Sequence, residues 1–285
     1  MKFIILIVSV LFFFSMLKSN FNNQLVIYGS STLSLLRDDL KNLAHGSRLN
    51  FVNHSIGGQT LETVEGLVES KPIYIKTSKN IEKDKTLVDI IQKGGGTLRP
   101  RSRFNVTLSD GTDGVIDFDK SIFLSDIKPM ENANLRVDFG FSSYSENDIY
   151  IINIGKNNIT KGYQVVDVLN SIQGITGKLD EYNRNKYIVI GYFVDSRSKT
   201  KKEILLINSE LKRIYKEKYF DIQEYLMSEL IWSDLRVEPT KIDLNSQENK
   251  ELAPSLRRDE KHLNDKVGKL IVKRLKNKVS ELNYL

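Results

Sequence analysis

The chain has 285 residues, 40% of them hydrophobic and 27% charged, enough for one large domain or one domain with a smaller insert. It has no cysteine, which excludes disulfides, thiol nucleophiles, cysteine-based metal centres and lipid-modified cysteines. The net charge of +6 allows an acidic partner such as an anionic glycan or a membrane surface, although Lys and Glu are interspersed rather than blocked.

The first residues, MKFIILIVSVLFFFSMLKSN, read as a targeting element over residues 1–22. Lys2 opens it, and Phe3 to Leu17 form an apolar run of about 15 residues, short of the roughly 20 needed to span a bilayer. The small-x-small cleavage pattern is poor around Ser15 to Asn20, so the segment fits a signal peptide or an uncleaved anchor.

Strand and helix then alternate. Leu25 to Tyr28 reads as a buried strand, and Leu33, Leu36, Leu40 and Leu43 recur at helical spacing up to Gly46. RLNFVNHS reads as a second strand. TLETVEGLVES reads as a helix with Thr60 as its N-cap and Glu62 in the first turn. DIYIINIG and KYIVIGYF are core strands, with helices expected at about 160–176 and 203–217. Leu263, Val267, Leu270, Ile271, Leu275 and Val279 form the apolar stripe of a last helix. Alternating strands and helices imply a parallel sheet covered on both faces, an α/β fold.

Residues 72–142 break this rhythm. KPIYIKT, KTLVDII, RFNVTLSDG, GVIDFDKS and NLRVDFGF are short β-like segments divided by turn residues. They read as a small antiparallel β insert. KGGGT (Lys93 to Thr97) lacks the Gly-Lys-Ser/Thr ending of a phosphate loop and reads as a turn.

In an open parallel sheet, reactive groups gather at the carboxyl ends of strands. Three such junctions and one late helix entry carry unusual residues. In YGSST, Ser31 follows a strand where helix N–H groups can meet an anion, and Ser31 or Thr32 equally fits a helix cap. In NHSIGGQT, Gly57 and Gly58 allow close backbone approach, or form a plain loop. In INIGKNN, the Asn157 amide can donate to an oxyanion, or form a turn. In RRDEKHLND, Asp259 and His262 are spaced for a carboxylate to orient an imidazole, or for an N-cap beside a solvated His. Of the three histidines, His45 sits at a helix end and His54 lacks an acidic neighbour, which leaves His262 as the best general base.

In this order the four features resemble the SGNH hydrolase (GDSL-like esterase) superfamily, with Gly29-Ser30-Ser31, Gly58, Gly155-Lys156-Asn157-Asn158 and Asp259-Glu260-Lys261-His262 matching its blocks. Ser30 stands where the family commonly has Asp, and so does Asn158. The resemblance implies a three-layer α/β/α flavodoxin-like fold with a parallel central sheet. The hydrolase domain would occupy residues 23–71 and 143–285, with the antiparallel β domain inserted at 72–142. It also implies a catalytic triad of Ser31, His262 and Asp259, and an oxyanion hole from the N–H groups of Ser31 and Gly58 and the amide of Asn157. No metal or organic cofactor and no nucleic-acid partner is expected.

Export and a β insert point to a serine esterase or deacetylase acting on O-acetyl groups of an envelope or extracellular polysaccharide, either released or held at the membrane by the N-terminal segment. Envelope glycan O-acyltransfer at the same site and a non-catalytic glycan-binding role are the alternatives. Arg99, Arg101 and Arg103 alternate and would share a strand face toward an anionic sugar, or line a solvated edge. Trp232 would platform a sugar ring, or pack in the core.

Overall fold

The computed structural model describes residues 23–82, 84–92, 103–118, 120–131, 133–196 and 199–285. The expected leader, the Lys93 to Thr97 turn, Arg99 and Arg101 lie outside these. No helix among the described residues is long and apolar enough to cross a membrane.

In chain order, β1 (Gln24–Gly29) leads into α1 (Ser31–Leu35) and α2 (Arg37–Gly46), then β2 (Asn50–Asn53) and α3 (Leu61–Leu67). After the insert come β9 (Ile149–Asn153), α4 (Lys156–Thr160), α5 (Val165–Glu181), β10 (Tyr187–Ile190), α6 (Lys201–Tyr215) and β11 (Tyr219–Phe220). The chain ends with α7 (Ile222–Leu226), α8 (Leu230–Leu235), α9 (Lys241–Glu248) and α10 (Asp265–Glu281). The sheet order is β11-β10-β9-β1-β2, with every pair parallel. This is the doubly wound, flavodoxin-like order, and it reverses between β1 and β9.

The two-residue side-chain period of the strands explains the layers. Leu25, Ile27, Ile149, Ile151, Ile188 and Ile190 face a core shared with α1, α2, α7, α8 and α10. Val26, Tyr28, Tyr150, Ile152 and Val189 face the opposite core, against α3, α5 and α6. Helices thus cover both faces, as the SGNH resemblance implies, and the apolar runs of the strands are the consequence. The leucine-spaced segment expected as one helix is two: Leu36 ends α1 and starts α2, while its side chain stays buried in the shared core.

The insert is a closed antiparallel barrel. Its strands are β3 (Ile73–Glu82), β4 (Lys85–Gln92), β5 (Arg103–Leu108), β6 (Asp113–Asp117), β7 (Ile122–Leu124) and β8 (Asn134–Asp138), in the order β3-β4-β7-β6-β5-β8. Closure by the β3–β8 pairing removes the exposed edges of a small sheet. Ile73, Ile75, Val88, Val106, Ile116, Phe123 and Val137 fill its interior. Phe104 and Phe139 pack against both this core and the α3-side core of the parallel sheet. An ion pair from Arg136 to Glu69 adds a polar tie beside them.

Candidate functional site

The site forms where the strand order reverses, beyond the carboxyl ends of β1 and β9. Strand β1 ends at Gly29, paired with Asn153 at the end of β9. Ser31 is the first residue of α1, and buried Ser30 is its N-cap, with no side-chain capping bond. The first-turn N–H groups of that helix have no intrahelical acceptor, as helix geometry dictates.

Beyond β9, Gly155 has φ +118°, and a Cβ there would lie 2.8 Å from both the Tyr192 hydroxyl and Val168 Cγ1. Only glycine fits that turn, and the turn aims the next three residues, Lys156, Asn157 and Asn158, into α4. Asn157 Nδ2 donates to the carbonyl of Gln59 at 2.8 Å, tying α4 to the loop that carries Gly58. One amide proton of Asn157 is therefore used structurally, and the second is the one an oxyanion can take. Gly58 has φ +79° and precedes Gln59, whose N–H donates to the Ile56 carbonyl in a tight turn. Gly58 does not line the cavity described below; Asn157 reaches its loop through Gln59.

Asn158, where the SGNH family commonly has Asp, is fully buried. Its Oδ1 accepts the N–H of Leu61 at 3.0 Å, and its Nδ2 donates to both oxygens of Glu62 at 3.1 Å. Leu61 and Glu62 open α3, so Asn158 caps that helix from a distant part of the chain. Thr60 occupies the N-cap position as expected, but its side chain accepts no backbone N–H. Glu62 is desolvated, yet hydrogen bonds from Thr60, Tyr163 and Asn158 hold its pKa below the usual value. A carboxylate at position 158 would face Glu62 directly, which gives a physical reason for the amide.

His262 lies just before α10. Its Nδ1 is 2.9 Å from Asp259 Oδ2 and 3.0 Å from Oδ1. Asp259 also accepts the backbone N–H groups of Lys261 and His262 at 2.8 and 3.0 Å. The hydrogen bond to His262 leads the effects that hold the Asp259 pKa down to about 2, so this carboxylate stays ionised at neutral pH. An ionised carboxylate on Nδ1 fixes the tautomer that leaves Nε2 as the acceptor.

Ser31, Asn157 and His262 line one cavity of about 320 Å³. Asp259 joins them through His262. Sequence reasoning missed Lys156 and Asp195, which line the same cavity and pair at 3.1 Å. Lys156 Nζ also donates to the Phe193 carbonyl at 2.8 Å and lies 4.2 Å from the Phe193 ring centroid. Burial lowers the pKa of Lys156 and the Asp195 carboxylate opposes that shift. Lys156 sits one residue from Asn157, and that adjacency is the only sequence signal it carried.

The other expected binding residues lie elsewhere. Arg103 is on β5 of the barrel, where its Nε pairs with Asp117 at 2.8 Å, so its charge is matched within the insert. Trp232 is 5% exposed, packs in the core under α8 and donates from Nε1 to Gln247 at 2.8 Å. It is mainly a core residue, and its small exposed remainder lines a cavity with Arg236, Val237 and Lys241, apart from the cavity that holds Ser31. His45 is in the last turn of α2. His54 stacks on Tyr28 and bonds Tyr144 through Nε2 at 2.7 Å, and burial lowers its pKa to about 4. Among the described residues no group of three or more His, Asp or Glu side chains is placed to hold a metal ion.

Fold and site together define a doubly wound α/β protein. It gathers a serine at a helix N-terminus, an Asp-oriented histidine and an asparagine amide at its topological switch point. Among solved structures the chain is similar to SGNH-hydrolase esterases. The psychrotrophic esterase EstA from Pseudoalteromonas sp. is 13% identical, with a TM-score of 0.43, covering 92% of this chain and 98% of that one. AlinE4, an SGNH-hydrolase family esterase, is 12% identical, with a TM-score of 0.38, covering 91% and 96%. A Streptococcus pneumonia protein named for platelet activating factor is 13% identical, with a TM-score of 0.48, covering 90% and 84%. No protein-family model and no curated protein matches the chain.

Proposed function

We propose that this protein is an exported serine esterase of the SGNH type that removes acyl groups, O-acetyl above all, from an envelope or extracellular polysaccharide. The observation that carries the reading is the shared cavity of Ser31, Asn157 and His262, with Asp259 hydrogen-bonded to the imidazole on its far side. Export is supported by the apolar segment from Phe3 to Leu17. The glycan substrate is supported by that export together with the barrel beside the hydrolase fold.

In the reaction, Ser31 Oγ attacks the ester carbonyl and His262 Nε2 takes its proton. The imidazolium that forms is stabilised by Asp259. The developing oxyanion is met by N–H groups at the start of α1 and by the second amide proton of Asn157. His262 returns its proton to the departing sugar oxygen, which leaves as a hydroxyl; water, giving its proton to His262, then attacks the acyl-serine, and that proton passes to Ser31 Oγ as acetate is released.

The test is release of p-nitrophenol from its acetate, followed by acetate release from a panel of acetylated glycans. Wild type should turn over and Ser31→Ala should lose nearly all of that rate. Equal rates for the two would refute the enzyme. An added oligosaccharide acceptor that gains acyl mass would redirect the reading to transfer.

A further inference from the structure

Two cavities meet at His262, and their charges are opposite. The one holding Ser31 and Asn157 is also lined by Lys156, Lys199 and Lys261, with Asp195 as its carboxylate. Asp195 is paired with Lys156. No ion pair among the described residues engages Lys199 or Lys261. The second cavity, about 410 Å³, shares Thr32 and His262 and is lined by Asp38, Asp39 and Asp265, with Lys269 as its ammonium.

We infer that the substrate of this site is an anionic sugar ester, whose carboxylate or phosphate is received by Lys261 and Lys199 beside the Ser31 hydroxyl. This rests on the esterase reading and specifies its substrate class. Two ammonium groups that no described carboxylate pairs, at the wall of a concave site, set up a positive potential where the scissile ester must lie. The three carboxylates across His262 oppose the reverse placement, so charge selects the orientation of the substrate as well as its class. Lys156 has a different part: already matched by Asp195, it adds little net charge and anchors the cavity floor. Sequence gave no warning of this cluster, because positions 156, 199 and 261 come together only in the fold.

The matched probes are methyl 3-O-acetyl-galactoside, its 6-carboxylate (the galacturonide) and its 6-phosphate. They present the same acetyl ester, and two of the three carry an anion. The wild-type enzyme should favour at least one anionic ester by about three- to tenfold in kcat/KM at low salt, as expected for two charge pairs made by exposed lysines. That ratio should fall toward one in 0.5 M salt. The two arms show whether carboxylate or phosphate is the preferred anion. In Lys261→Gln and in Lys199→Gln the anionic-to-neutral ratio should drop, and in the double variant it should approach one. Because it is a ratio, a general loss of activity does not imitate the effect.

Calorimetric binding of the deacetylated sugars reads the same preference without turnover. A wild-type ratio near one with equal binding of charged and neutral sugars overturns the proposal, as does a ratio unmoved in the double variant. Selective binding of the anion without turnover of any ester would sustain the charge reading and sink the esterase.

Discussion

Replacing Gly155 with Ala probes the link between fold and site. Gly155 turns the chain from β9 into α4 at φ +118°, outside the range a side-chain-bearing residue adopts comfortably, at a strain of about 1–3 kcal/mol. The added methyl would sit 2.8 Å from the Tyr192 hydroxyl and from Val168 Cγ1. Neither can step aside freely. Tyr192 is 2% exposed and its hydroxyl donates to the Ile154 carbonyl, while Val168 is fully buried. Overpacking of this kind costs about 1–3 kcal/mol. Together the two effects predict a loss of about 2–6 kcal/mol, read from urea unfolding followed by circular dichroism. For a chain of this size that is a fall in Tm of about 10 °C. Because Asn157 lies two residues on, kcat for an acetate ester should fall as well. A variant within 1 kcal/mol of wild type would refute the account of the turn.

Asn157→Ala should lower kcat about a hundred- to a thousandfold with little change in KM, as loss of one oxyanion donor does, in steady-state kinetics on p-nitrophenyl acetate. Asn158→Asp should destabilise the fold by about 2–3 kcal/mol at pH 7, because it exchanges a donor to Glu62 for a second buried carboxylate. The new carboxyl would be raised in the folded state, so urea titrations should show the deficit shrinking as pH falls toward 5. His54 has a folded pKa of about 4 against an ordinary 6.5. The unfolded chain thus binds the extra proton first, and stability falls as pH drops from about 6.5 to 4, by up to about 3 kcal/mol. His54→Phe should flatten that part of the stability curve.

Much of the fold was legible because apolar runs such as IYIIN and YIVI are buried on both faces and the leucine and valine stripes mark single helix faces. The edge strand β11 and the short helices α7, α8 and α9 were not. They are brief, and their placement depends on what they pack against rather than on a period of their own. The barrel was readable as β from its turn residues, but its closure depends on pairing between β3 and β8, separated by the whole insert. At the site, Asp259 and His262 declared their pairing through spacing, since both lie in one local turn. The second use of Asn157, the remote capping by Asn158 and the lysine cluster join residues from distant parts of the chain. Local pattern does not reveal such contacts. Trp232 and Arg103 show the converse: a residue type suited to sugar binding was already satisfied by Gln247 and by Asp117.

The central claim is that Ser31 is a nucleophile activated by His262. A fluorophosphonate probe tests it most directly, because attack by Oγ forms an O–P bond and expels fluoride. The account predicts one adduct per chain by intact mass, mapped to the peptide carrying Ser31 and lost in Ser31→Ala and in His262→Ala. A chain that stays unlabelled, or that carries its label on another residue, would contradict it.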